Sequence, residues 1–290
     1  QSTFIDEATS ITANGEAGGQ VVIWSDELTQ FKGIIRAQGD IAGGNVEVSG
    51  KERLLFDGQV DVRSQGSPGT LLLDPENIEI RAGSDPGSTT SGNSQILYES
   101  TLESSIVGNI NLWLHDDNDN TIGPLSEGKL TFAQGTGSIR FLADADGDGQ
   151  GSFTMASSNC LNAPGQNIFI TAADIIAGDV DTSVSSIINN SKNAGDIHLT
   201  ATRGSLITGN LSSTARGGLN NSGNGGDISL SAMGSVATGD IITTATALNN
   251  SGSSGQINFR SQAGNISTDH LNASTFGNNS FFIENTGDAD

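Results

Sequence analysis

The sequence predicts an all-β fold, a right-handed parallel β-helix with an irregular middle section. Three observations predict it: apolar residues alternate in short runs, the runs recur at near-constant intervals, and Gly- and Asn-rich corners separate them. Alternation is clean at Val46 and Val48 and again at Ile197 and Leu199. A period of two puts every second side chain on one face of a strand. A run of three to five residues cannot bury that face alone, so the recurrence supplies the partner. The same strand one coil later lies about 4.8 Å away and stacks matching side chains into ladders. Right-handed winding is the expectation for parallel strands joined by crossovers.

Composition supports a thin core. The 290 residues include 39 Gly and only 5 Pro, with 34% hydrophobic and 5% aromatic residues. A compact α/β enzyme carries more apolar mass than this. Disorder would lack the regular alternation. Helical stripes are nearly absent; "TLESSIVGNI" (Thr101–Ile110) is the best candidate, and its opening fits one turn. The absence of any run of about 18 apolar residues argues against a transmembrane helix and membrane insertion. The formal net charge of −21, from 33 acidic against 12 basic residues, disfavours nucleic acid and anionic lipid as partners and suits cations. Cys160 is the single cysteine, so coils are held by backbone ladders and packing rather than disulfides. The opening Gln1-Ser2-Thr3 shows no signal peptide and reads as the interior of a longer chain.

The repeats divide the chain into three sections. Over residues 1–80, "GGQVVIWSD" is echoed by "GGNVEVSG" and "GTLLLDP", so that Val21, Val46 and Leu71 stand 25 apart. Over residues 166–290, runs begin at Asn167, Asp196, Asp227 and Gln256, spaced 29, 31 and 29. A second and a third short run follow each, then a polar excursion. There "NNS" recurs from Asn189, Asn220, Asn249 and Asn278, spaced 31, 29 and 29. These triplets read as a polar ladder or a row of loops along one edge, with stacked amides bonded along the axis. Residues 81–165 keep β-runs such as "INLWLH" and "SIRFLA" but break the period, and longer loops are expected there.

The stretch "VVIWSDELTQFKGIIRAQGD…GGNVEVSGKERLLFDGQVDV…GTLLLDPENIEI" resembles the filamentous haemagglutinin-like exoproteins, particularly the large cyanobacterial members. The resemblance continues through "GSIRFLADADGDGQGSFTM" and the later repeats, covering most of the chain. It implies a right-handed parallel β-helix exported by two-partner secretion, through an outer-membrane secretion pore acting on the parent protein. Such proteins sit outside or on the surface of a Gram-negative-type bacterium, as adhesins or extended fibres contacting cell-surface or matrix ligands. The family's N-terminal secretion domain and a toxin-like C-terminal domain are not evident, so an interior or processed fragment is expected. Neither end carries an obvious polar cap, so the open coil ends are expected to pair either with further coils of the parent or with another copy, end to end.

The sharpest local feature is "DADGDGQGS". Asp144, Asp146 and Asp148 at alternate positions, then Gly149, match the first half of an EF-hand-like calcium loop. Ser152 stands at the ninth position, but Met155 occupies the twelfth, where a bidentate Glu would close the site. The competing reading is an acidic, solvated turn. "HDDNDN" (His115–Asn120) offers oxygens without a specific spacing and reads as a polar loop. Trp24 and Trp113 are either sugar platforms or, more simply, core or corner covers. No enzyme is predicted, because basic residues are thinly scattered, His115, His198 and His270 are far apart, and the acidic pairs fall in loops.

Overall fold

The computed structural model describes residues 1–84, 95–105, 110–186, 191–218, 221–276 and 283–285. Parallel strands stack into a β-solenoid of about nine turns with about 2% helix. One face runs through the whole stack as a ten-stranded sheet, from Gln20–Ser25 through Gly69–Pro75, Ile110–His115 and Ser138–Leu142 to Ile257–Ser261 and Ile283–Asn285. Its register is the one the sequence spacing dictates. Val21, Val46, Leu71, Leu112, Ile139 and Ile168 pair in succession, and Ile168 continues to Ile197, Ile228 and Ile257. Two residues on, the parallel column Val48, Leu73, Leu114, Phe141, Ile170, Leu199 is buried throughout. Each strand thus buries its alternate residues against the coils above and below.

The later coils carry four strands rather than the three expected. After Ile197–Ala201 come Leu206–Ile207, Leu211–Ser212 and then Ala215–Arg216, which pairs with Val184–Ser185 and Ala245–Thr246. The polar excursion therefore begins with a strand of its own, which explains part of the longer period. Within it the amide ladder exists: Asn250 Nδ2 donates to Asn221 Oδ1 at 3.0 Å. Asn189, Asn190, Asn220 and Asn278 lie outside the described residues.

The middle section is less irregular than its sequence suggests, because the long sheet crosses it unbroken. What breaks the period is one insertion. Strand Gln95–Tyr98 pairs with Ile78–Arg81 on the side away from Asn120–Ile122 and packs against Arg53–Phe56. The second face thereby gains a strand that belongs to no repeat. Helix Glu99–Ser105 follows, touching Gln59–Asp61 and Lys129–Thr131, and buries Leu102 where a third-face strand would otherwise stand.

Corners are closed by side chains as well as backbone. The Asp196 amide donates to Asn167 Oδ1, the Asp227 amide to Asp196 Oδ1 and the Gln256 amide to Asp227 Oδ1, each at 2.8 Å. The residues that open each repeat are thus the links of a ladder between coils, which is why they are short and carry an oxygen. Asp196→Ala is expected to cost about 1 kcal/mol by stranding the part-buried Asp227 amide, and Asp196→Asn much less. Urea midpoints of the two variants check this.

Candidate functional site

The turn that joins the first face to the second is acidic in four consecutive coils. It carries Asp74 and Glu76, then Asp116, Asp117 and Asp119, then Asp144, Asp146 and Asp148, then Asp174. Backbone and side chains stitch these turns together. Asn118 Nδ2 donates to Glu76 O at 3.4 Å, the Ala145 amide to Asp116 O at 3.0 Å, and the Ser152 amide to Asp119 Oδ1 at 2.9 Å. The Phe153 amide donates to Asp174 O at 3.0 Å. Residues remote in sequence thereby become neighbours along one acidic ridge.

Asp144, Asp146 and Asp148 come together: one ligand oxygen from each lies within 4.8 Å of the others. Positive φ angles of 61° at Asp144, 74° at Gly147 and 89° at Gly149 wrap the turn. The donor set is all oxygen, as a hard cation requires. The turn also has internal partners for these groups. The Gly149 amide donates to Asp144 Oδ1 at 2.7 Å, the Asp148 amide to Asp146 Oδ1 at 3.2 Å, and the Gln150 amide to Asp148 Oδ1 at 2.9 Å. Arg203, two coils away, lays its guanidinium on the turn, and Nη2 donates to Gly147 O at 3.3 Å. Met155, at the closing position, points into the core and is buried.

The segment His115–Asn120 is not simply a polar loop. Alternation along Ile110, Leu112 and Leu114 continues to Asp116, which is 0% exposed, and Asn120 on the next strand is 1% exposed. Composition alone hides this burial; the period-two register running through Ile110–His115 carries its signal. Burial pushes Asp116 up to about 8; the Ile78 amide opposes this and Asp119, Asp117 and Asp74 add to it. Asp74 is pushed up to about 6 by burial, then by Asp117 and Glu47. His115 closes its strand, and burial, reinforced by Arg140, lowers it to about 4.

Neither tryptophan is core. Trp24 is 49% exposed on the outer side of the first face. Trp113 faces outward in a column in which Arg140 sits 5.5 Å from its ring and 5.4 Å from Phe169, and Phe169 stacks on His198 at 5.0 Å. Ring faces in this column meet one another along the axis, leaving edges to solvent, which is poor geometry for stacking a sugar. The three histidines stay apart: His115 and His198 are on separate strands, and His270 pairs with Asp240 at 2.8 Å. Cys160 is half-buried, and burial, then Asp181 and Asp179, pushes its thiol up to about 11. Alkylation at pH 8 is expected to be at least about tenfold slower in the native chain than after denaturation, as timed thiol labelling would show.

No family model and no curated protein matches the chain. Among the described residues no helix is long and apolar enough to cross a membrane.

Proposed function

We propose that the chain is a structural and adhesive segment of a secreted cell-surface exoprotein of the filamentous haemagglutinin type. The observation that carries this is the ten-stranded parallel sheet running the length of the solenoid. At about 4.8 Å per strand it makes a stiff rod rather than a cleft-bearing globule. Such a rod repeats its outer side chains at a fixed interval, and many weak contacts on a repeating ligand add up by avidity. The sequence resemblance supports the same reading and, with it, export of the parent by a partner pore. On this reading the contacts are with cells, matrix or glycans, and the chain carries no reaction. Beads coated with the chain are expected to adhere to polysaccharide-covered surfaces and to score on a glycan array. Blank arrays together with non-adherent beads sink the adhesive part, and release of reducing sugar from a polysaccharide sinks the non-enzymatic part.

A second reading, a subunit that stacks end to end into an extracellular fibre, is favoured by the first coil. Thr3–Ile5, Ser10–Thr12 and Gln20–Ser25 each pair with a described strand on one side, and Ile5, Ile11 and Val21 are only partly buried against the core. A surface of this kind accepts a further coil, whether of the same chain or of another copy. Negative-stain images showing isolated particles at all concentrations remove this reading.

A further inference from the structure

The acidic ridge holds a second feature that the Asp144 turn does not explain. In each coil two inward residues flank the corner between the first and second faces, and almost everywhere they are small or apolar. Ala143, Ala172, Ala201 and Ala232 occupy the first position, all buried. At the second, Phe153 pairs onward to Ile175, and Ile175 to Leu206. Beyond the first coil, with its Ser25 and Thr29, the coil that departs at both positions carries Asp116 and Asn120. Asn120 sits in register between Ile78 and Phe153, in a column that continues through Ile175, Leu206 and Val236.

The first full coil shows what a satisfied polar pair looks like at this corner. Ser25 and Thr29, with the same separation of four residues, are buried, their hydroxyls are 2.8 Å apart, and Thr29 Oγ1 donates to Ser49 O at 2.6 Å. Asp116 and Asn120 make no such bond. Asp116 Oδ2 accepts the Ile78 amide at 3.1 Å, but Asp116 Oδ1 and both amide atoms of Asn120 have no protein partner. Backbone bonds fix the frame: the Asp116 amide donates to Leu142 O at 2.9 Å and the Asn120 amide to Ser152 O at 3.0 Å. Orphaned polar atoms at this depth cost about 1–3 kcal/mol each unless something else pairs with them. The charged groups that act on Asp116 are Asp119, Asp117 and Asp74, all negative. Asp116 takes part in none of the ion pairs of the described residues.

We propose that this corner is a cation site built from the inside of the coil, with Asp116 Oδ1 and Asn120 Oδ1 as inner oxygen ligands for a divalent ion of the calcium class. Asp117 and Asp119 in the same turn supply the surrounding negative charge, and hard oxygen donors without sulfur or imidazole select calcium over transition metals. The ion joins the Asn120 strand to the turn below Asp144, so it braces the coil rather than serving a reaction. This is distinct from the Asp144 turn, whose Asp146 and Asp148 are exposed and whose carboxylates leave no buried oxygen without a partner.

The experiment is calcium titration of the full chain after chelation, read by calorimetry and by melting temperature. Wild type is expected to bind calcium and to melt at least about 2 °C higher with it. Asp146→Asn/Asp148→Asn keeps an equivalent of bound calcium and the shift, whereas Asp116→Asn loses one equivalent and most of the shift. Asp116→Ala/Asn120→Leu restores the residue types of neighbouring coils, so it keeps the fold and is likewise silent to calcium. An unchanged calcium shift in Asp116→Asn, or loss of all binding in the Asp146/Asp148 variant, overturns the proposal. So does a wild type indifferent to millimolar calcium, which makes Asp116 a neutral acid beside a buried water.

Discussion

Gly226→Val is expected to remove at least about 3 kcal/mol of stability, more than any surface change. Gly195, Gly226 and Gly255 form a column at the corner that leads into the first face, one per coil. A Cβ built on Gly226 falls 2.2 Å from Gly195 O and 2.5 Å from Ser213 Oγ; one on Gly255 falls 1.9 Å from Gly226 O. The obstacles are mostly main chain of the adjacent coil, so no rotamer change relieves them. The same glycines anchor a column of buried hydroxyls. The Gly226 amide donates to Ser213 Oγ at 2.9 Å, and Gly226 O accepts Thr243 Oγ1 at 2.8 Å. Overpacking costs about 1–3 kcal/mol, and each displaced buried hydrogen bond adds about 1 kcal/mol. Gly147→Ala is the control: its φ is 74° and nothing lies within 4 Å of the added carbon, so only backbone strain of about 1 kcal/mol is at stake. Urea unfolding followed by circular dichroism separates the two, and equal midpoints for Gly226→Val and wild type would show that the coils can part at this corner.

The fold was legible because a stacked repeat writes its register into residue spacing. Val21, Val46 and Leu71, 25 apart in sequence, are direct neighbours in the sheet. The inserted strand Gln95–Tyr98 was not legible as such: it reads as one more β-run, and only its pairing with Ile78–Arg81 shows that it belongs to no repeat. The fourth strand of each later coil is two residues long, such as Ala215–Arg216, too short for any period to register. At the acidic ridge the sequence located the carboxylates but not their environments. Asp144 and Asp116 look alike in a string, yet one lies on a wrapped turn braced by Arg203 and the other faces the core.

Phe141→Ala is expected to cost about 3–5 kcal/mol, whereas Phe169→Ala, one coil on and facing outward, costs about 1 kcal/mol. Phe141 is 1% exposed and meets the edge of Phe153 at 5.1 Å and 66° between ring planes. It stands in the inward column between Leu114 and Ile170. Truncation leaves a cavity that flanking coils cannot close, because their own ladders fix the strand spacing. Phe169 loses its stack on His198 and its contact with Arg140, both partly solvated. Denaturant midpoints measure both costs, and a double-mutant cycle of Phe141 with Phe153 should return about 0.5–1.5 kcal/mol of coupling. A one-residue slip of Ser138–Leu142 would exchange inner and outer faces. Arg140 would then point into the core and Phe141 out, so an inexpensive Phe141→Ala would refute the register itself. Because each coil contacts mainly its neighbours, loss at Phe141 should also loosen the adjacent turn bearing Asp144, detectable as faster amide exchange there than at Ile228–Ala232.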